Sequence, residues 1–223
     1  MSRGPFKPLF HELPNSIPLF PLSGALLLPG GRLPLNIFEP RYLAMVQDAM
    51  ASPHRLIGMI QPKADGLYEI GCAGRIAEYS ESDDGRVLIS LAGTARFTCQ
   101  SSVIEEAGYL QGAVDFSGFE HDMMPDDANI DRPKLLEILK AYFDVKGFSA
   151  DWEHIEACED ERLVTTLSMI CPFADTEKQA LVESHGLEGR TQLLIAMLEM
   201  SVLSHGHDQL DETGQGTSGN VAH

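Results

Sequence analysis

The sequence predicts an α+β protein: a curled sheet or small β-barrel with one helix, followed by a C-terminal helical bundle. Three observations carry this expectation. Residues 16–118 break into short apolar runs, partly alternating, separated by Pro- and Gly-rich turn signals. From residue 131 onward the apolar spacing changes from two to about 3.6. Between the early strands, the stretch 17–50, IPLFPLSGALLLPGGRLPLNIFEPRYLAMVQDAM, holds one helix with a strong start.

Residues 1–15 contain Pro5, Pro8 and Pro14 and little periodicity, which predicts a disordered lead. Ile17, Leu19, Phe20 and Leu22 form the first apolar run and Leu26 to Leu28 the second. Pro29-Gly30-Gly31 is a turn signal, since Pro fixes φ and Gly admits φ > 0. Leu33, Leu35, Ile37 and Phe38 make the third run. Glu39 precedes Pro40, a favourable pairing at a helix start, and Tyr42, Leu43, Val46, Ala49 and Met50 recur at helical spacing.

Residues 55–61 predict a buried strand. Residues 68–80 predict a long one, with Ile70, Cys72, Gly74 and Ile76 on one face and Glu69, Ala73, Arg75 and Tyr79 on the other. Ser82-Asp83-Asp84-Gly85 is a hairpin signal, answered by Val87, Ile89 and Leu91 and then by Ala95, Phe97 and Cys99. Residues 109–116 close the series. A sheet of this size buries its apolar face by curling or closing.

Residues 119–130 are polar and predict a linker, with the helical bundle over 131–204. Asp131 and Pro133 predict a helix start and Gly147 its end. Ser149 is the expected cap of a short helix around Trp152, and Asp160 the start of the next, stopped by Pro172. Asp175 is the expected cap of a further helix closed by Gly186, and Leu187 to Leu203 the last. Residues 205–223, poor in apolar residues, predict a disordered tail.

The net charge of −17 is uneven: residues 1–118 hold 9 Lys/Arg against 12 Asp/Glu, and residues 119–223 hold 7 against 21. Such a field repels phosphate backbones and anionic lipid, so neither a nucleic-acid nor a membrane partner is expected. Four widely spaced cysteines without a CxxC fit reduced thiols. With no signal-peptide core and no long apolar run, a cytoplasmic location is expected.

The runs PLFPL and LPGGRLPLNIFEPRY resemble the opening of the Lon protease N-terminal domain family. The segment GCAGRIAEYSESDDGRVLISLAGTARF is similar to its middle hairpin, and CPFADTEKQALVE to a helix start in its helical part. That family includes the substrate-binding domain of ATP-dependent Lon and short stand-alone bacterial proteins. The resemblance implies a PUA-like β-barrel followed by helices. It also implies a recognition part that binds unfolded or exposed polypeptide segments, alone or as an adaptor with a protease or chaperone partner.

The chemistry-bearing motifs point the same way. No GxxxxGK[ST] phosphate loop and no GxSxG nucleophile elbow occurs, so neither an ATPase nor an enzyme of another kind is expected. Gly214, Gly216 and Gly219 match GxGxxG but lack the preceding strand and following helix a dinucleotide needs. His154 and Cys158 share one helical face without further ligands, and no metal or cofactor is expected. Phe20, Phe38, Tyr42, Phe97 and Phe116 are assigned to the core. Tyr79 and Tyr109 fall opposite the presumed core faces and are assigned to a contact surface. Arg32 and Arg41 flank the third run, placed to orient a carboxylate or carbonyl of a bound chain. The candidate ligand-binding residues are therefore Pro29, Gly30, Gly31 and Arg32 in the turn, Glu39, Arg41 and Tyr42 at the helix start, and Tyr79 and Tyr109. Two other functions stay open at this point. A basic groove of Arg32, Arg41, Arg75 and Arg96 would favour nucleic acid, and a pocket joining His, Cys or carboxylates would favour a hydrolase. The oligomeric state is not specified by the sequence.

Overall fold

A computed structural model describes residues 8–83, 85–124 and 128–214, with side chains described through residue 204. Residues 1–7 of the expected lead and 215–223 of the expected tail, with Gly216 and Gly219, lie outside the described residues.

Among the described residues eight strands precede the helical part: β1 (Ser16–Pro21), β2 (Arg32–Ile37), β3 (Leu56–Ile60), β4 (Pro62–Lys63), β5 (Gly66–Leu67), β6 (Ile70–Glu81), β7 (Val87–Ile104) and β8 (Leu110–Asp115). The main sheet runs β2-β7-β6-β3-β1-β8, and β8 pairs back onto β7. Five strands thus close into a barrel. Strand β7 is long enough for one of its edges to serve two partners in turn: β2 pairs with 87–92 and β8 with 98–104. Register shifts at Ala73/Gly74, Ile76/Glu78 and Cys99/Ser101 supply the bends that closure needs. Helix α1 (Pro40–Ala51) has Glu39 at its N-cap and buries Tyr42, Met45, Val46 and Ala49 against the sheet. It lies between β2 and β3, and β3 runs parallel to β1.

Helices α2 (Arg132–Lys146), α3 (Trp152–Ala157), α4 (Asp160–Ile170), α5 (Asp175–Glu183) and α6 (Gly186–Gly214) form the second part. Asp131 caps α2 by accepting from the Lys134 amide at 3.1 Å, and Gly147 ends it at φ +66°. Leu135, Leu139, Tyr142, Leu163, Val164, Leu181, Leu194 and Leu198 share one core.

Several local expectations change. Leu26 to Leu28 is not a strand, although all three side chains are buried. Leu27 enters the barrel core, whereas Leu26 and Leu28 enter the helical core. A segment threaded between two cores satisfies its side chains on both sides without joining a ladder. Phe38 is not core: it is 63% exposed. Ile37 points inward, so the next residue on the pleat must point out. Tyr109 is buried, because the strand face opposite the expected core is covered by α1. Asp151, not Ser149, caps α3. Asp175 is the first residue of α5, and its carboxylate accepts from the Gly24 amide at 2.8 Å instead of capping its own helix. The backbone of 205–214 continues α6 where composition predicts disorder.

The stretch expected as a linker does structural work. Residues 117–123 form a 3-10 turn whose Asp122 pairs with Arg96, both side chains being nearly inaccessible. Helix α5 then seats against the barrel: Lys178 donates to the Gly24 carbonyl, Gln179 to the Ile70 carbonyl, and Arg96 to the carbonyls of Val182 and Ser184. The Pro29-Gly30-Gly31 turn lies on the same boundary. Gly30 adopts φ +75°, the Gly30 amide donates to the Gly93 carbonyl, and the Gly93 amide to that of Gly31. A Cβ on Gly31 would stand 2.4 Å from Met169 Sδ of α4.

Candidate functional site

Strand β2 ends the sheet order, so one of its edges carries no neighbouring strand among the described residues. Two hollows border it and meet at Leu35 and Asn36.

The first, about 280 Å³, sits between the end of β1, the end of β2 and the start of α1. Its floor is the Phe20 and Tyr42 rings, with centroids 4.3 Å apart. The sequence builds this locally: Pro40 starts the helix at a fixed φ, which places Tyr42 on the first inward turn. Arg41 lies with its guanidinium 4.5 Å over the Tyr42 ring and donates to Glu39 at 3.0 and 2.8 Å through Nε and Nη2. A cation over an aromatic face, tied to a carboxylate, makes a polar rim that keeps its shape. Burial raises the Tyr42 phenol, with Arg41 opposing and Glu39 adding to the rise. The ring is therefore a neutral apolar surface near neutral pH. Phe38 stands exposed beside it.

The second hollow, about 480 Å³, spans β2, β7 and β6. Pro34, Leu88, Glu78 and Tyr79 line it, and Leu88 is 49% exposed. Glu78 takes the Arg32 guanidinium at 3.1 Å, an exposed pair that orients more than it stabilises. The Tyr79 hydroxyl donates to Glu81, a bond that raises its pKa.

The structure thus sorts the nine candidate residues. Glu39, Arg41 and Tyr42 line the first hollow, Tyr79 lines the second, and Arg32 holds a residue of its rim. Pro29 and Gly31 are buried at the boundary with the helices, and Gly30 is the exposed corner of their turn. Tyr109 is apart from both hollows, its hydroxyl donating to Asp48 at 2.8 Å. Burial, that bond and the charges of Asp48 and Glu105 push Tyr109 up to about 12 from 10.0. A raised pKa in the folded state means full stability below the ordinary tyrosine range, lost as pH rises from about 10 towards about 12. A spectrophotometric titration is expected to show a tyrosine ionising late, restored to the ordinary range by unfolding. Asp48→Asn lowers that late pKa.

Residues of these hollows that sequence reasoning did not place there are Phe38, Leu88, Pro34 and Leu22. For Phe38 the signal was available in the alternation past Ile37. For Leu88 it was not, because only the pairing of β7 with β2 brings it to the site. His154 and Cys158 lie on and just past the short helix α3, and among the described residues no three His, Cys, Asp or Glu side chains converge. No described helix is long and apolar enough to cross a membrane.

The model of the ATP-dependent protease La (LON) substrate-binding domain matches residues 16–200. A Lon protease of Flavobacterium johnsoniae is 28% identical over 138 residues, 58% of this chain and 16% of that protein. Lon protease 2 of Myxococcus xanthus is 24% identical over 201 residues, 84% of this chain and 24% of that protein. The chain thus covers less than a quarter of the length of these relatives. A Lon N-terminal domain protein from Xanthomonas campestris superposes with a TM-score of 0.58 at 25% identity, over 81% of this chain and 97% of the other. The N-terminal domain of a Mycobacterium avium complex Lon protease gives 0.62 at 18% identity, over 82% and 98%, which supports the fold alone.

Proposed function

The chain belongs to the Lon substrate-binding domain family, and on that premise we propose that it is a non-catalytic module binding unfolded or exposed apolar polypeptide segments. It acts alone or as an adaptor for a protease or chaperone. The observation that carries this reading is the exposed Phe38 beside a hollow floored by Phe20 and Tyr42 and rimmed by the Glu39–Arg41 pair. An apolar patch edged by polar groups is the usual form of a surface that takes apolar side chains of a partner. The part matched is the substrate-binding one, whereas the curated relatives are proteases. The four cysteines are unpaired, which fits a reducing compartment and a cytoplasmic location.

A nucleic-acid reading gains nothing. Of the arginines that would build a basic groove, Arg32 and Arg41 are held by Glu78 and Glu39, and Arg96 is 6% exposed.

The test is titration of the full chain with reduced casein, without ATP. Reversible binding with no loss of intact casein is expected. Phe38→Glu should weaken it about thirtyfold, the effect of losing an interface anchor of about 2 kcal/mol. Because Phe38 is exposed, its circular dichroism should not change. Cleaved casein, or equal binding by wild type and variant, would contradict the proposal.

A further inference from the structure

We propose that the bound segment adds as a strand to the free edge of β2, and that the preferred segment alternates apolar and basic residues. This rests on the polypeptide-binding reading and specifies its mode and ligand class.

The phase of the β2 ladder fixes what the edge offers. The Gly93 amide donates to the Gly31 carbonyl at 2.9 Å, so the pair just ahead of β2 is hydrogen-bonded. Bonded pairs alternate along an antiparallel ladder. With Arg32 opposite Ala92, Pro34 opposite Ser90 and Asn36 opposite Leu88, these pairs are the non-bonded ones. Proline at position 34, which has no amide to donate, agrees with that phase. The main-chain groups of Arg32, Pro34 and Asn36 therefore face away from β7. They present three carbonyls and the amides of Arg32 and Asn36 along the open edge. All three residues are exposed.

The surroundings select the segment. Side chains of an added strand alternate between the two faces of the sheet. On one face Leu33 and Leu35 are half-buried and lead to the Phe38–Tyr42 hollow, where apolar side chains fit. On the other face Glu78 and Ser80 lie beyond β7. Near the strand Glu39 and Glu78 neutralise Arg41 and Arg32, so these pairs add no net charge, and Glu81 of β6 has no basic partner among the described residues. The charge that favours a basic segment is the field of the whole chain, −17, of which residues 1–118 carry 9 Lys/Arg against 12 Asp/Glu. A basic segment is drawn to this surface and an acidic one repelled. The same charge disfavours a second copy of this chain. Self-pairing centred on Pro34 would also set each Pro34 carbonyl opposite a proline nitrogen that has no hydrogen to donate.

The experiment uses the full chain and short fluorescent peptides alternating Leu and Lys, followed by anisotropy at low salt. Single N-methylation is walked along the peptide. Affinity is expected to fall about tenfold at every second residue and to stay level between. Asn36→Pro removes an edge amide that makes no bond to β7, so it should weaken binding about tenfold with unchanged circular dichroism. A Leu/Glu peptide should bind at least about tenfold more weakly than the Leu/Lys one. A flat N-methyl profile, or equal binding by folded Asn36→Pro, overturns strand addition while leaving polypeptide binding intact. Casein binding without binding of the Leu/Lys peptide does the same. A wild-type dimer that Asn36→Pro dissociates overturns the choice of occupant. No binding of casein or peptide defeats both readings.

Discussion

Asp122→Ala is expected to lower the free energy of unfolding by about 3–5 kcal/mol, the usual loss when one partner of a buried ion pair is removed. Arg96 donates through Nε and Nη2 to Asp122 at 2.9 and 2.7 Å and through Nη1 to the carbonyls of Val182 and Ser184. The Arg96 amide also donates to the same carboxylate at 2.9 Å, and the guanidinium lies 4.8 Å over Phe119. The two side chains are 7% and 8% exposed, so water cannot replace the missing oxygens. Removing Asp122 leaves a buried cation without its counter-charge and takes the acceptors from Nε, Nη2 and the Arg96 amide, at the point where barrel, 3-10 turn and α5 meet. Urea unfolding gives the loss. The double variant Arg96→Met with Asp122→Leu should recover much of it, because an apolar pair of similar volume needs no desolvation of charge. A loss below about 1 kcal/mol for Asp122→Ala would show that this pair behaves like an exposed one.

Gly93→Ala should be comparably severe, by a different mechanism. A Cβ there would stand 1.9 Å from the Leu28 carbonyl oxygen and 2.8 Å from its carbon. These are backbone atoms, so no rotamer change relieves the contact. Relief requires moving Leu28 and Pro29, and Leu28 is fully buried in the helical core. A loss above about 3 kcal/mol is expected, the range of strain at a position with no room. Gly85→Ala is the control: its φ of +82° imposes conformational strain, but open space surrounds the site. Its cost should stay near about 1 kcal/mol. Thermal unfolding ranks the two. Equal midpoints would mean that the boundary between barrel and helices yields easily.

The parts of the fold that were legible in the sequence are those decided within a few residues. Pro40 after Glu39, Asp131 two residues before Pro133, and Gly147 at a helix end each act through their own backbone. The barrel was legible because alternation implies a face to bury. What stayed hidden depends on partners far along the chain. Asp175 reads as a helix cap, yet a free amide at Gly24 takes its carboxylate. Arg96 reads as surface cation, yet Asp122 and two carbonyls of α5 and its end enclose it. Tyr109 is exposed by alternation and buried by α1. The hollows divide the same way. Glu39, Arg41 and Tyr42 are close in sequence, so their grouping around one hollow was legible. Tyr79, Leu88 and Pro34 lie on three strands, and only their register joins them.

Backbone amide chemical-shift mapping during titration with reduced casein decides whether polypeptide segments bind at β2 and the start of α1. Shifts are expected to concentrate at residues 32–42 and at Leu88, with Arg32 and Asn36 among the largest. Shifts confined to helices α2 to α6, with residues 32–42 unmoved, would place binding elsewhere.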